Sequence, residues 1–169
     1  MMRREFIERL LQLGALAGLG GSALARAGEA VQGSLKRLPG HWRPVVSPAA
    51  WDVLFREVTE RPGSSPLNAE KRAGTFLCAA CLNPLFASAS KYESGTGWPS
   101  FFQALPDRLG TREDTSLFIR RTEYHCLRCG GHQGHVFDDG PAPTGLRYCN
   151  NGLALTFVPQ GTPLPPPRT

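Results

Sequence analysis

Two Cys-x-x-Cys pairs, Cys78/Cys81 and Cys126/Cys129, constrain this 169-residue chain more than any other feature. Each pair places two sulfurs about one turn apart. Two such knuckles facing each other put four thiolates at the corners of a tetrahedron, the closed geometry of structural zinc. The 44 residues between Cys81 and Cys126 must then fold so that two distant segments meet, and metal binding offsets the entropy of closing that loop. One Zn2+ per chain is expected, acting as a staple. Two disulfides, or a redox-active dithiol, compete for the same spacing; neither pair has the setting of a thioredoxin-like motif, which favours zinc. The fifth cysteine, Cys149, has no partner at close spacing and is left for chemistry.

The front of the chain reads as a targeting segment. Residues 1–27 have a basic start (Arg3, Arg4, Arg9), an apolar middle from Leu10 to Leu19 and small residues at Ala23, Ala25 and Ala27. This is the layout of an export signal, with an apolar core too short to span a bilayer as a helix. Adjacent Arg3 and Arg4 point to the twin-arginine type, with cleavage after Ala25 or Ala27 and a periplasmic destination. An uncleaved membrane anchor is the alternative. Cleavage after Ala27 removes four arginines and two glutamates, lowering the formal charge from +5 to +3. That mild excess, with no Lys/Arg block, argues against a nucleic-acid partner.

Residues 28–46 read as a flexible leader, 47–158 as the folded domain and 159–169 as an extended Pro-rich tail. Ser47 is a good N-cap and Pro48 suits the first helical position. Trp51, Leu54, Phe55 and Val58 then share one helical face. Residues 61–66 end the helix in a loop. Short apolar runs at 75–77, 84–86, 117–125, 134–137, 146–149 and 153–157 predict strands, with a turn or loop at 139–145. The chain is therefore expected to be mainly β and antiparallel, with a helix at its N-terminal edge.

Four segments complete a constellation around Cys149. The Gly-rich run at 95–101 carries Trp98, and His132 and His135 lie three apart, followed by Phe137, Asp138 and Asp139. Arg147 stands two residues before the thiol and Asn151 two after it. Each has a bland reading singly: Trp98 as core, a histidine as a hydrogen-bonded loop residue, Arg147 as surface charge. Together they suit a thiolate, because a nearby cation lowers a cysteine's pKa and a histidine can donate a proton to a leaving oxygen.

The runs SGTGWPSFF, HQGHVF and DGPAPTGLRYCNN, with GSSPLNAEKRAGTFLCAAC before them, closely resemble the B-type methionine sulfoxide reductases, which act on the R epimer. The resemblance spans residues 47–158. It implies two antiparallel sheets of the β-tent type with structural zinc, and an oxidoreductase that repairs oxidised methionine, chiefly in peptides. Cys149 matches the nucleophile and Trp98 the ring that receives the substrate's methyl group. His132 and His135 match the pair that binds and protonates the oxygen. Arg147 and Asn151 match residues that position or activate the thiolate, with Phe137 and Asp139 beside the substrate. The expected product is methionine with a sulfenic acid on Cys149, restored by a thioredoxin-like or other thiol reductant.

Two departures from the family pattern stand out. Thr96 occupies a position where many members carry a resolving cysteine, so either an external reductant restores Cys149 or a zinc ligand is sacrificed; the first is favoured, since losing a ligand would destabilise the metal site, and the sequence reads as a one-cysteine enzyme. Asn150 and Gly152 replace an aliphatic residue and a serine. A thiol-dependent enzyme of a related zinc-bearing β fold and a zinc-knuckle binding module are the alternatives. The second leaves Cys149, Trp98 and both histidines without a task.

Overall fold

The computed structural model describes residues 37–116 and 119–169. The expected export signal and most of the leader lie outside the described residues. Among the described residues no helix is long and apolar enough to cross a membrane.

Helix α1 (Pro48–Arg56) begins as its sequence dictates: Ser47 Oγ accepts the Ala50 N–H at 3.2 Å and Pro48 takes the first helical position. Its inner face buries Ala50, Trp51, Val53 and Leu54. The helix stops one turn sooner than the apolar spacing implies. Glu57 takes a left-handed conformation (φ 60°), and the Val58 N–H turns back to the Asp52 carbonyl. Val58 consequently leaves the apolar face and is 47% exposed. The leader also needs correcting at its end. Trp42 is fully buried in the core, and the Pro39 carbonyl accepts the Trp51 indole N–H at 2.9 Å. The ordered domain thus starts before residue 47, because one large aromatic ring is worth burying even in a segment without a sustained period.

Among the described residues nine strands follow: β1 (Gly74–Cys78), β2 (Pro84–Ala87), β3 (Lys91–Tyr92), β4 (Ser100–Phe101), β5 (Leu109–Asp114), β6 (Arg121–Cys126), β7 (His132–Phe137), β8 (Arg147–Asn150) and β9 (Leu155–Pro159). They form two antiparallel sheets, β2-β1-β9 and β3-β4-β8-β7-β6-β5. The run expected at 117–125 becomes β6 from Arg121 onward, and Leu117 and Phe118 lie outside the described residues. The edge strand β5 was not expected from the sequence. Its residues LGTRED alternate no apolar face, and the ladder to β6 rather than burial holds it.

The core forms where the sheets face each other. Phe76 on β1 and Phe86 on β2 meet Phe101 on β4; Phe86 and Phe101 stack at 4.2 Å, and Tyr124 on β6 and Tyr148 on β8 pack edge-on at 5.3 Å. Phe76, Phe86, Phe101 and Tyr124 are fully buried. A large ring removed from such a site costs about 3–5 kcal/mol, so Phe101→Ala alone would consume a large part of a typical domain's stability.

Candidate active site

The two knuckles are equivalent turns, one from each sheet. β1 ends at Cys78 and turns through Cys81 into β2; β6 ends at Cys126 and turns through Cys129 into β7. In each turn the residue after the second cysteine is left-handed, Leu82 at φ 59° and Gly130 at φ 75°. The four sulfurs all lie within 4.8 Å of one another and are buried. The closest approaches run across the knuckles, Cys78 to Cys129 and Cys81 to Cys126, both 3.6 Å. A disulfide needs about 2.05 Å, whereas a tetrahedron with 2.3 Å metal–sulfur bonds has edges of about 3.8 Å. All five cysteines are free. Asn83 Nδ2 donates to Cys126 Sγ at 3.5 Å and Gln133 Nε2 to Cys78 Sγ at 3.6 Å, the outer hydrogen bonds that stabilise thiolate ligands. The donor set fits a metal ion.

The fifth thiol lies on β8, in the middle of the larger sheet. Cys149 stands opposite His135 of β7 on one side and opposite Ser100 of β4 on the other, so these side chains share a face. Gly134 makes the close pairing possible, since a Cβ there would collide with the Cys149 carbonyl. His132 and His135 are three residues apart and would point to opposite faces of a regular strand. A bulge in the β6–β7 pairing beside His125 shifts the register, and the two rings meet at 5.6 Å between centroids.

A cavity of about 130 Å³ opens over the thiol, lined by Trp98, Phe137, His135 and Cys149 together with Thr59, Arg121, Gly134, Asn150 and Asn151. That space suits a small side-chain tip. His132 lies behind this lining and is buried; its Nδ1 contacts Glu123 Oε1 at 2.7 Å, and its Nε2 has no hydrogen-bond partner. His135 Nε2 contacts Asp114 Oδ2 at 2.7 Å, an oxygen that Arg121 also holds at 2.5 Å. Burial keeps the His135 pKa below its ordinary value despite Asp114, which favours the neutral ring.

Arg147 is braced by a bidentate pair with Asp139 at 2.7 Å and lies over the Phe137 ring at 4.3 Å. Asp139 does not line the cavity; it acts on Arg147. Asn151 spends both ends of its amide on backbone, accepting the Glu60 N–H at 3.0 Å and donating to the Gln133 carbonyl at 3.1 Å. The expectation of a lowered thiol pKa is reversed. Burial pushes the Cys149 thiol up, and the pull of Arg147 and the Thr96 hydroxyl offsets only part of this.

Sequence reasoning missed Asp114, Arg121 and Glu123. Glu123 is buried, and desolvation alone would raise its pKa, yet hydrogen bonds from His125 and His132 hold it at about 2. A carboxylate inside an otherwise ordinary strand gives little signal; the cue is its alternation with Thr122 and Tyr124 beside two histidines.

A family model described as the SelR domain matches residues 46–159. The chain belongs to this family, that of the B-type methionine sulfoxide reductases. A protein of Methanosarcina barkeri named "Peptide methionine sulfoxide reductase MsrB" is 49% identical over 127 residues, 75% of this chain and 89% of that protein. Proteins of the same name from Bradyrhizobium diazoefficiens and Pseudomonas putida are each 49% identical, over 70% of this chain and 86% and 90% of their own lengths.

Within this SelR-family fold the departures have local explanations. Asn150 is fully buried but satisfied: it accepts the Tyr124 hydroxyl at 2.8 Å and donates to the Asn151 carbonyl at 2.8 Å and to Gln133 Oε1 at 3.4 Å. A side chain at Gly152 would collide with that of Ser65, which fills the space. Thr96 joins Ser94 at 2.8 Å, and Ser94 joins Ser100 at 2.7 Å, a hydroxyl chain ending at the thiol.

Proposed function

We propose that the chain reduces methionine-R-sulfoxide, chiefly within peptides, with Cys149 as nucleophile. The observation that carries this is the placement of Cys149 opposite His135, in a small cavity walled by Trp98 and Phe137. The apolar rings offer a wall to the substrate's methyl group while the polar side holds its oxygen. His135 lines the cavity beside Cys149 and is the histidine placed to meet that oxygen, while His132, held at Nδ1 by Glu123, backs it from behind the lining. Arg147, braced by Asp139, favours the thiolate that burial otherwise opposes.

The step balances. The Cys149 sulfur attacks the sulfoxide sulfur, the oxygen is protonated and passes to the cysteine, and methionine leaves with Cys149 as sulfenic acid. Two reducing equivalents from an external thiol, such as a thioredoxin-like protein, return the thiol and release the oxygen as water. Thr96 beside Cys149 provides no second thiol, which supports external regeneration.

The metal is zinc in this reading: four thiolates in a closed, buried set match its preference, and its task is to join the two sheets. Export through the twin-arginine pathway to the periplasm rests on the pattern of residues 1–27 and is tested by sequencing the N-terminus of the mature protein. The test of function is reduction of separated R and S epimers by wild type and Cys149→Ser. Loss of R-specific activity with metal retained is expected; equal activity of the two proteins would contradict the role of Cys149.

A further inference from the structure

Beyond the residues named above, we infer that Glu60 is the positioning residue that holds the cavity's walls in register. It rests on the sulfoxide-reductase reading. Glu60 follows α1 in the segment that also carries Thr59, and it is almost fully buried. Its main chain ties two sides of the cavity: its N–H donates to Asn151 Oδ1 at 3.0 Å and its carbonyl accepts the Trp98 indole N–H at 3.1 Å. Its carboxylate fixes that backbone in place by accepting the Gly152 N–H at 2.5 Å and the Leu153 N–H at 3.0 Å. The Gly63 N–H adds a bond to the Gly97 carbonyl at 2.7 Å. One residue therefore connects the ring expected to receive the methyl group with the segment that follows the nucleophile. Cys149 itself is held independently by β4 and β7.

That separation gives the test. Glu60→Ala and Glu60→Gln are compared with wild type in three readouts: kcat/KM for methionine-R-sulfoxide, the rate of Cys149 alkylation by iodoacetamide, and bound metal. A loss of about 100-fold in kcat/KM is expected for Glu60→Ala, since misplacement of about 1 Å can cost that much. Glu60→Gln, which keeps one acceptor and the side-chain volume, recovers most of it. Alkylation and metal content stay within about twofold, because the β8 strand is not moved. Unchanged kcat/KM in Glu60→Ala beside an active wild type overturns the inference alone. Parallel loss of all three readouts also overturns it, as general loosening. A wild type inert toward the sulfoxide sinks the underlying reading and this inference with it.

An independent set of contacts concerns the Pro-rich tail, and here we propose that Arg168 is a clamp on the metal knuckles. Its N–H donates to the Cys81 carbonyl at 2.9 Å, and its Nη1 to the Ala79 and Ala80 carbonyls at 2.9 and 3.0 Å. Its own carbonyl accepts Arg128 Nη2 from the other knuckle at 3.2 Å. The tail thus joins both turns outside residues 46–159. Wild type and Arg168→Ala, both isolated with metal, are challenged with excess chromophoric chelator. Release about tenfold faster in the variant is expected from the lost charge-assisted hydrogen bonds. Half-times within twofold, or a wild type with no metal to release, overturn the clamp.

Discussion

The four knuckle cysteines and Cys149 are the same residue in opposite surroundings. At the knuckles, each sulfur has three others within 4.8 Å, and two are approached by amide donors. Nothing of that site is open to a substrate. Cys149 has no second thiol beside it, a cation braced at Arg147, a hydroxyl at Thr96 and a cavity above it. Reactivity is set by what surrounds the sulfur rather than by the sulfur. The regions are also joined. Tyr124, Asn150 and Gln133 form a buried polar line from the residue after Cys149 to Cys78 Sγ, so the strand bearing Cys149 is tied to the four-cysteine cluster between the two sheets.

Breaking the closed site has the largest expected effect. Cys126→Ser, or exhaustive chelation, should abolish cooperative unfolding, because structural metal of this kind contributes about 10 kcal/mol or more to small domains. Circular dichroism and calorimetry check it; a metal-free chain that still melts cooperatively with unchanged Tm would remove the staple from the account. In the open site, Trp98→Ala should lower kcat/KM for the sulfoxide by about 10–200-fold, the range that one small apolar contact commands, with Tm and metal content little changed. An effect on metal content instead would place Trp98 in the frame rather than the site.

Asn150→Leu sharpens the link between the two regions. It leaves the Tyr124 hydroxyl and Gln133 Oε1 without Asn150 as partner, at a cost of about 1–3 kcal/mol in stability read from denaturant midpoints. No change would mean that the polar line contributes nothing net. The smallest effect is a shift in pH. Because burial raises the Cys149 pKa, alkylation should climb with pH to a midpoint above the about 8.5 of a free cysteine, and Arg147→Ala should move it higher still. A midpoint below the free value would show that the cation, not burial, dominates the resting site.

The same contrast explains what could be read from residues. The knuckles and the cap of α1 rest on residue types whose spacing carries the chemistry, and around Cys149 the fold brings Trp98, His135, Phe137 and Asn151 to one cavity, with His132 behind it and Asp139 acting through Arg147. The end of α1 was not legible, since Glu57 gives no local sign of a left-handed conformation and Val58 continues the apolar period. Trp42 carries no sequence signal, because an isolated ring has no period. β5 is a charged edge whose strand character comes from its partner. The carboxylates Asp114 and Glu123 depend on pairings between β5, β6 and β7, and the raised thiol pKa depends on burial, which the order of Arg147 and Cys149 along the chain does not reveal.

The division of labour among the five thiols is tested most directly by mass spectrometry after a single turnover. Wild-type protein with its metal bound is mixed with one equivalent of methionine-R-sulfoxide and no reductant, then examined intact and after digestion. One added oxygen on Cys149, with Cys78, Cys81, Cys126 and Cys129 unmodified and the metal retained, is the expected result. An internal disulfide joining Cys149 to any of those four would contradict it.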